Sequence, residues 1–220
     1  MDVFFLFTGL IAISVNVLLG IAVYSANPYK LQNNLFALLT TTFVVWILGS
    51  TMMHLSADYE SLIFWVRYSY LGLIFLAAIF FHFAFSFDRR VLPLHIYLPA
   101  LFFSQLSLTT DFLVKGVVVT GSGYSIVYGF AGRYFLVYLL VYVVAGLYHL
   151  LSIETHISRL NRARLNLIVV GVSIPIVFGF LIELILPYFG YPTSNVIEYL
   201  TIPMAISIFY AFFGFEKGFK

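Results

Sequence analysis

The chain has no cysteine and very few charged residues. The absence of cysteine excludes disulfides, thiolate metal sites, cysteine-linked haem and cysteine nucleophiles. Charged residues make up 9% of the chain and hydrophobic residues 62%, whereas about a quarter of a soluble domain is charged. The sequence therefore predicts an integral membrane protein.

Catalytic and phosphate-binding motifs are also missing. The sequence contains no glycine-rich phosphate loop, no HExxH and no pair of carboxylates at catalytic spacing. It gives no support for an enzyme, and we expect none. Pro175 and Pro203 could kink helices as prolines do in transporters, but no pair of corresponding halves is visible.

Seven apolar runs are long enough to be considered as membrane spans, given that about 20 apolar residues cross about 30 Å of hydrocarbon. The first lacks the basic region and cleavage site of a secretory signal, so we expect it to be retained. The fourth is the shortest. The runs are Val3–Ser25, Leu35–Leu55, Leu62–Phe87, Leu94–Leu108, Tyr134–Ile153, Leu165–Phe189 and Val196–Phe215.

The basic residues fix a predicted orientation, because Lys and Arg accumulate in cytoplasmic loops. Only Lys115 and Arg133 fall on one side of the predicted bundle. The other side carries Lys30, Arg89, Arg90, Arg159, Arg162, Arg164, Lys217 and Lys220. We therefore predict an all-α polytopic membrane protein of the cytoplasmic (inner) membrane, a single seven-helix domain over 1–220. Its N-terminus lies outside and its C-terminus in the cytoplasm.

The long outer loop from Thr109 to Arg133 has a different pattern. Two β-rich runs flank Gly121-Ser122-Gly123, which is typical of a short hairpin. We predict that this hairpin either lies across the outer mouth of the bundle as a lid or packs on the helix ends with no ligand beneath it.

Arg67 and Glu183 are charged residues within predicted spans. Such a charge costs about 2.5–3.5 kcal/mol on insertion scales unless it meets a partner, a wet cavity or the interface. Arg67 lies about 7 Å below the outer end of the third span, and Glu183 precedes Pro187 near the outer end of the sixth. We predict that the two face each other or share a polar cavity. Separate snorkelling to the headgroups is the alternative.

Aromatic and polar residues surround this level of the predicted bundle. They suit the walls of a small-molecule pocket between helices, and they equally suit an interfacial aromatic belt that needs no ligand. They are Trp65, Tyr68 and Tyr70 on the third span, with Trp46, Ser50 and His54 at intervals of four residues on the second.

Two histidines are candidates for a cofactor site. His82 and His149 each lie about five residues from the cytoplasmic end of a predicted span, and facing histidines can ligate haem iron or a metal. On the fifth span, however, Tyr138, Tyr142 and His149 share one face, a pattern that more often joins helices through hydrogen bonds. Retinal is excluded because the seventh span contains no lysine for a Schiff base. We therefore expect no cofactor.

Several short motifs, in this order, resemble the N-terminal seven-helix region of prokaryotic sensor histidine kinases and some diguanylate cyclases. The resemblance covers about Val3 to Phe215. The motifs are Asn27-Pro28, Asn33-Asn34, Trp46, FWVRYSYLG around Arg67, TTDFLV at Thr109–Val114, GSGY at Gly121–Tyr124 and Glu183.

The resemblance implies a sensory module whose outer half receives a signal and whose seventh helix passes a movement to a cytoplasmic output domain. Arg67 would be the family's arginine of the third helix. The sequence ends at GFEKGFK without a phosphoacceptor histidine segment or an ATP-binding domain. We therefore consider a sensor cut from a larger protein, a stand-alone sensor with a separate partner, and a sensor fold reused in a membrane assembly.

The function we predict is binding of a small molecule or lipid near Arg67 and Glu183, beneath the outer loop, with signalling to a cytoplasmic domain or partner. The predicted binding residues are Arg67, Glu183, Trp46, His54, Trp65 and Tyr70. The alternative is a non-catalytic accessory subunit of a larger membrane complex. We expect contact with the lipid bilayer and none with nucleic acid.

Overall fold

The chain folds mainly into helices joined by short connections. The computed structural model describes residues 3–88, 92–120, 123–153, 159–186 and 189, with Pro203, Met204, Ser207, Tyr210 and Ala211. The α-helices are α1 (Val3–Ala26), α2 (Leu31–Leu55), α3 (Tyr59–Ser86), α4 (Leu98–Thr109), α5 (Gly132–Ile153) and α6 (Arg159–Gly179). Two strands, β1 (Val114–Thr120) and β2 (Gly123–Tyr128), lie between α4 and α5.

Four of the described helices are long and apolar enough to cross a membrane. They are α1 from Leu6 onward, α2, α3 and α5. The α4 helix has 12 residues and follows a 3-10 helix at Leu94–Tyr97, so the predicted fourth span is divided. Pro99 lies in the first turn of α4, where a missing N–H costs no helical hydrogen bond. At 1.5 Å per residue, α4 spans only about 18 Å.

Polar side chains fix the turns between the first three helices. Asn33 donates from Nδ2 to the Val23 carbonyl at 2.8 Å, which satisfies one of the last four carbonyls of α1. Asp58 caps α3 by accepting hydrogen bonds from the Ser61 backbone N–H and hydroxyl, both at 2.8 Å. These hydrogen bonds hold the pKa of the exposed Asp58 carboxyl below its ordinary value.

The α2 and α3 helices pack in very close contact, and glycines make this possible. A Cβ on Gly72 would lie 2.6 Å from the Thr42 carbonyl oxygen and 2.7 Å from the Trp46 nitrogen. A Cβ on Gly49 would lie 2.6 Å from that of Ser69. Small residues at such positions bring membrane helices close enough for extensive van der Waals contact.

The α3 helix is the central helix of the described structure. It packs against α2, α4, α5 and β1. In its most apolar stretch 72% of the residues are buried inside the protein, against 33% in α1 and 28% in α5. The core residues with no exposed surface include Ile74, Ala77, Phe80 and Phe83 of α3.

The hairpin predicted in the loop from Thr109 to Arg133 is confirmed. Strands β1 and β2 pair antiparallel from Val114–Tyr128 to Thr120–Gly123, with an irregularity between Val114 and Gly116. At the open end of the hairpin, the Gly129 N–H donates to Leu113 and the Ala131 N–H to Phe112. The loop between α4 and α5 is therefore a folded element.

The sixth helix begins earlier than predicted, at Arg159, and ends in a π-helix at Phe180–Ile185. The predicted seventh helix, Val196–Phe215, lies outside the described residues except for five positions. One of them, Ser207, packs on α6, since a Cβ on Gly171 would lie 2.7 Å from the Ser207 Cβ.

Candidate functional site

Arg67 of α3 joins the outer hairpin to the helix bundle. It lies eight residues into α3, about 12 Å from the first residue at 1.5 Å per residue. Its guanidinium forms an ion pair with Asp111 and donates a hydrogen bond to the Val114 carbonyl at 3.1 Å. The Ser107 hydroxyl of α4 donates to the backbone carbonyl of Arg67 at 3.1 Å. One residue thus connects α3, α4 and the first strand of the hairpin.

Arg67 is partly sheltered and its partner is not. The side chain of Arg67 is 19% exposed and that of Asp111 is 73% exposed. The Nε of Arg67 is buried and has no hydrogen-bond partner among the described residues. Arg67 therefore retains one donor that a ligand or another side chain could use.

Aromatic side chains make further contacts between the hairpin and the helices. The Val117 N–H donates to the Tyr59 hydroxyl at 3.4 Å. The hydroxyls of Tyr70 and Tyr128 lie 2.6 Å apart in a hydrogen bond. The hairpin is consequently held along the outer half of α3 at three levels: Tyr59, Arg67 and Tyr70.

The second helix contributes to the same site through the face that the sequence singled out. His54 packs edge-on against Tyr124 of β2, with ring centroids 5.1 Å apart. Trp46 and Ser50 lie deeper on the same helix, beside Tyr70, where they line a small cavity. Of the predicted site residues, Trp46 and Tyr70 therefore line one cavity, while Arg67 and His54 each contact the hairpin.

The cavity beneath the hairpin has a volume of about 20 Å³. That is enough for one water molecule, which needs about 10–15 Å³, and far below the 300–1,000 Å³ of a typical ligand pocket. Ile126 of β2 is the lining residue that the hairpin contributes. Its lining is Trp46, Ser50, Met53, Val66, Ser69, Tyr70, Leu73 and Ile126.

Two of the predicted site residues, Trp65 and Glu183, make no contact with Arg67 among those that the structure describes. Trp65 is two residues from Arg67, about 200° around the helix, and its ring packs edge-on against Phe64 and Tyr68 of α3. The backbone of Glu183 lies in the π-helix, but its side chain lies outside the described residues. Pairing of Arg67 with Glu183 therefore stays a prediction.

The predicted metal candidates each pack against an aromatic ring. The Nδ1 of His82 and the Tyr97 hydroxyl are 2.9 Å apart in a hydrogen bond, and the ring of His149 stacks on Phe85 at 3.7 Å. No cluster of three potential His, Cys, Asp or Glu ligands occurs in the ranges that the structure describes. The expectation that the protein uses no haem or metal stays a prediction.

Hydrogen bonds also connect the C-terminal half of α3 to its neighbours. Gln32 of α2 donates from Nε2 to the Ser86 carbonyl at 2.7 Å. The Tyr138 hydroxyl of α5 donates to the Ile74 carbonyl at 2.8 Å. Together with the bond between His82 and Tyr97, these contacts connect α3 to three other segments below the level of the site.

Sequence reasoning missed the residues of the loop that contact the helices. Asp111 was visible in TTDFLV as an acidic residue directly after α4, at the level of Arg67, but was not recognised as its partner. Tyr124, Ile126 and Tyr128 occupy every second position of β2, so they share one face of the strand, and that face is turned toward α2 and α3.

One comparison with known proteins gives a match. The family model described as the N-terminal 7TM region of histidine kinase matches residues 10–216, which is nearly the whole chain. No curated protein shows significant similarity to the chain, and no solved structure does.

Proposed function

This chain belongs to the family of N-terminal seven-transmembrane regions of histidine kinases, and from that premise we propose that its outer hairpin receives the signal of a membrane sensory module. The observation that carries the proposal is the connection of the hairpin to α3 through Arg67. A loop held by side-chain bonds to the central helix can transmit a displacement, whereas a loop without such bonds cannot.

The module we propose has seven spans in the cytoplasmic membrane, with the N-terminus and hairpin outside and the C-terminus inside. The excess of Lys and Arg in the loops opposite the hairpin supports this orientation. The four long apolar helices support the membrane location. We propose that the module has no catalytic activity of its own and acts on a cytoplasmic output domain or a separate signalling protein.

A signal molecule, a small molecule or lipid, would act by moving the hairpin. The cavity beneath Ile126, about 20 Å³, is too small for such a ligand in the present arrangement. A ligand shifts a conformational equilibrium only through a difference in its affinity for the two states. Binding would therefore favour a second arrangement, in which the hairpin has moved away from Tyr70 and the cavity has opened.

Glu183 is the second polar group we assign to that opened site. Its backbone lies in a π-helix, a geometry found frequently at functional sites. The free Nε of Arg67 among the described residues leaves a donor for its carboxylate or for a ligand. Pro203 is a place at which the seventh helix could bend in response.

Movement of the hairpin would reach the cytoplasm through α3. The helix is bonded to the hairpin at its outer half and to α2 and the 3-10 helix at its cytoplasmic end. Close packing at Gly49 and Gly72 leaves little space for α3 to move independently of α2. We propose that the two helices move as one unit relative to α5, α6 and the seventh helix.

Distance measurements between spin labels test the coupling, and the absence of cysteine makes the native chain a clean background. One label pair, Glu60→Cys with Val119→Cys, reports the position of the hairpin on α3. A second pair, Lys30→Cys with Lys217→Cys, reports the cytoplasmic side. Each pair is measured by double electron–electron resonance with Arg67 intact and with Arg67→Met.

The proposal expects Arg67→Met to broaden the outer distance distribution and to shift the cytoplasmic one. Arg133→Met, at the other outer arginine, is the matched control and leaves both unchanged. A broadened outer distribution with an unchanged cytoplasmic one would contradict signal transmission. Combined with purification as part of a stable larger complex, that result would favour the accessory subunit.

A further inference from the structure

A groove lies between α1 and α2, away from the hairpin site. Its volume is about 260 Å³, more than ten times that of the cavity beneath the hairpin. Several lining side chains are open to the surroundings, with Ile21 58% exposed and Tyr24 48% exposed. The full lining is Val17, Gly20, Ile21, Tyr24, Ala37, Thr40, Thr41 and Val44.

The groove exists because its floor is made of small residues. Gly20 packs directly on Thr40, where a Cβ would lie 2.5 Å from Oγ1, and Ala37 adds only a methyl group. The hydroxyls of Thr40 and Thr41 both donate to the Ala37 carbonyl at 2.8 Å. The two threonine protons are thus used within the helix. Apart from Tyr24, the other lining residues have no polar side-chain group, so an apolar occupant suits the groove.

A positive charge stands at one end of the groove. Lys30 is the N-cap of α2, seven residues before Ala37 of the lining, which places its backbone about 10 Å further along the axis of that helix. It is exposed and forms no ion pair within the described ranges. The neighbouring Tyr29 is 97% exposed, as expected of an aromatic residue at the headgroup level.

We propose that this groove binds an acyl chain of an anionic phospholipid of the cytoplasmic leaflet, with its phosphate next to Lys30. The lining belongs to two helices that can cross the membrane, so the groove faces hydrocarbon. The charge at its mouth matches an anionic headgroup. The assignment to the cytoplasmic leaflet rests on the orientation in the proposed function. The existence of the groove does not depend on that orientation.

Native mass spectrometry of the full chain measures the lipid that it retains. The protein is reconstituted into vesicles of equal parts phosphatidylglycerol and phosphatidylethanolamine, solubilised mildly and analysed for bound lipid. Wild-type protein is expected to retain phosphatidylglycerol preferentially. Lys30→Gln is expected to lower the ratio of retained phosphatidylglycerol to phosphatidylethanolamine by about fivefold, since a lysine near an anionic surface contributes about 1 kcal/mol.

Filling the groove tests the acyl-chain site separately from the charge. Thr41→Phe occupies the groove from the exposed side of α2 and is expected to abolish preferential retention. Ile21→Trp does the same from α1. Leu38→Phe adds bulk to α2 outside the lining and serves as the matched control. Thermal melting of each variant shows that it is folded.

Each result either supports or overturns the site. Retention that is unchanged in Thr41→Phe and Ile21→Trp, or reduced equally in Leu38→Phe, would overturn the groove. An unchanged lipid ratio in Lys30→Gln would overturn the assignment to anionic lipid. The amount of retained lipid does not depend on coupling between the hairpin and the cytoplasmic side. If the lipid site is overturned, the sensory proposal therefore still stands. If the spin-label distances contradict the coupling, the lipid site still stands.

Discussion

Arg67 holds the hairpin through two interactions of different strength. Its ion pair is with a carboxylate that is 73% exposed, and such pairs contribute about 0.2–1 kcal/mol. Its hydrogen bond to the Val114 carbonyl lies in a more sheltered place and adds about 0.5–1.5 kcal/mol. Removing the side chain of Arg67 is therefore expected to lower the free energy of unfolding more than removing the charge of Asp111.

We predict that Arg67→Met destabilises the protein by about 1–2 kcal/mol and Asp111→Asn by less than about 1 kcal/mol, because only the first removes both interactions. The measurement is thermal unfolding in detergent, repeated at high salt. High salt should reduce the difference in thermal stability between wild type and Asp111→Asn, since it screens exposed charges. Equal destabilisation by the two substitutions would contradict this account of Arg67.

Asn33 provides a second prediction at this scale. It is 2% exposed and satisfies the Val23 carbonyl at the end of α1. Asn33→Leu leaves that carbonyl without its donor, and we expect a loss of about 1–3 kcal/mol in the free energy of unfolding. Asn34→Leu is the matched control, because the Asn33 side chain donates a hydrogen bond and no hydrogen bond of the Asn34 side chain is seen among the described residues. Equal losses in both variants would refute the capping role.

Single charges in apolar surroundings were the most informative residues of the sequence. The cost of burying Arg67 predicted that it meets a partner, a polar cavity or the interface, and the structure gives it Asp111 and the Val114 carbonyl. The identity of the partner was not predictable, because Asp111 is 44 residues further along the chain and its position depends on the hairpin fold. Aromatic residues were less informative. Trp46 and Trp65 both lie within apolar runs of the sequence, but their neighbours in the folded structure differ.

At the scale of elements, close contact between α2 and α3 requires glycine at position 72. A Cβ there would meet backbone atoms of α2, which cannot rotate away as a side chain can. We predict that Gly72→Ala lowers the free energy of unfolding by about 1–3 kcal/mol, as overpacking generally does. Gly146→Ala is the control, because the nearest atom there, 3.0 Å away, belongs to the side chain of Phe80.

Thermal unfolding of both glycine variants in the same detergent provides the comparison. A loss in Gly146→Ala as large as that in Gly72→Ala would show that backbone contact is not the decisive factor. Spin labels on α2 and α3 would add a structural reading, since the interhelical distance is expected to increase in Gly72→Ala alone.

Apolar length and turn residues were enough to predict most elements. The bounds of α2, α3 and α5 agree with the predicted spans to within a few residues at their ends, and the hairpin lies where the β-rich runs predicted it. The packing faces were not predictable. In a membrane helix the residues toward lipid and those toward the protein are both apolar, so periodicity does not separate them as it does in a soluble helix.

At the scale of the whole molecule, α3 connects the hairpin to the turns at its C-terminal end. The residues that make these connections lie on one continuous helix of 28 residues, and hydrogen bonds link its first residue, Tyr59, and its last, Ser86, to neighbouring elements. In the proposed function this helix carries a displacement over its length, about 42 Å at 1.5 Å per residue. The direction of transmission depends on which end faces the outside.

The orientation is the last prediction, and it is tested in intact cells. The cysteine-free chain carries single substitutions at three places: Val119→Cys in the hairpin, Lys30→Cys between α1 and α2, and Lys217→Cys beyond the predicted seventh span. A membrane-impermeant maleimide is expected to label Val119→Cys in intact cells and the other two only after permeabilisation, because the basic loops remain on the cytoplasmic side. The unsubstituted chain, having no thiol, is the blank.

Labelling of Lys30→Cys in intact cells would reverse the orientation and leave the hairpin inside, where it could not receive an external signal. Labelling of Lys217→Cys on the same side as Val119→Cys would instead require an even number of spans between the two sites.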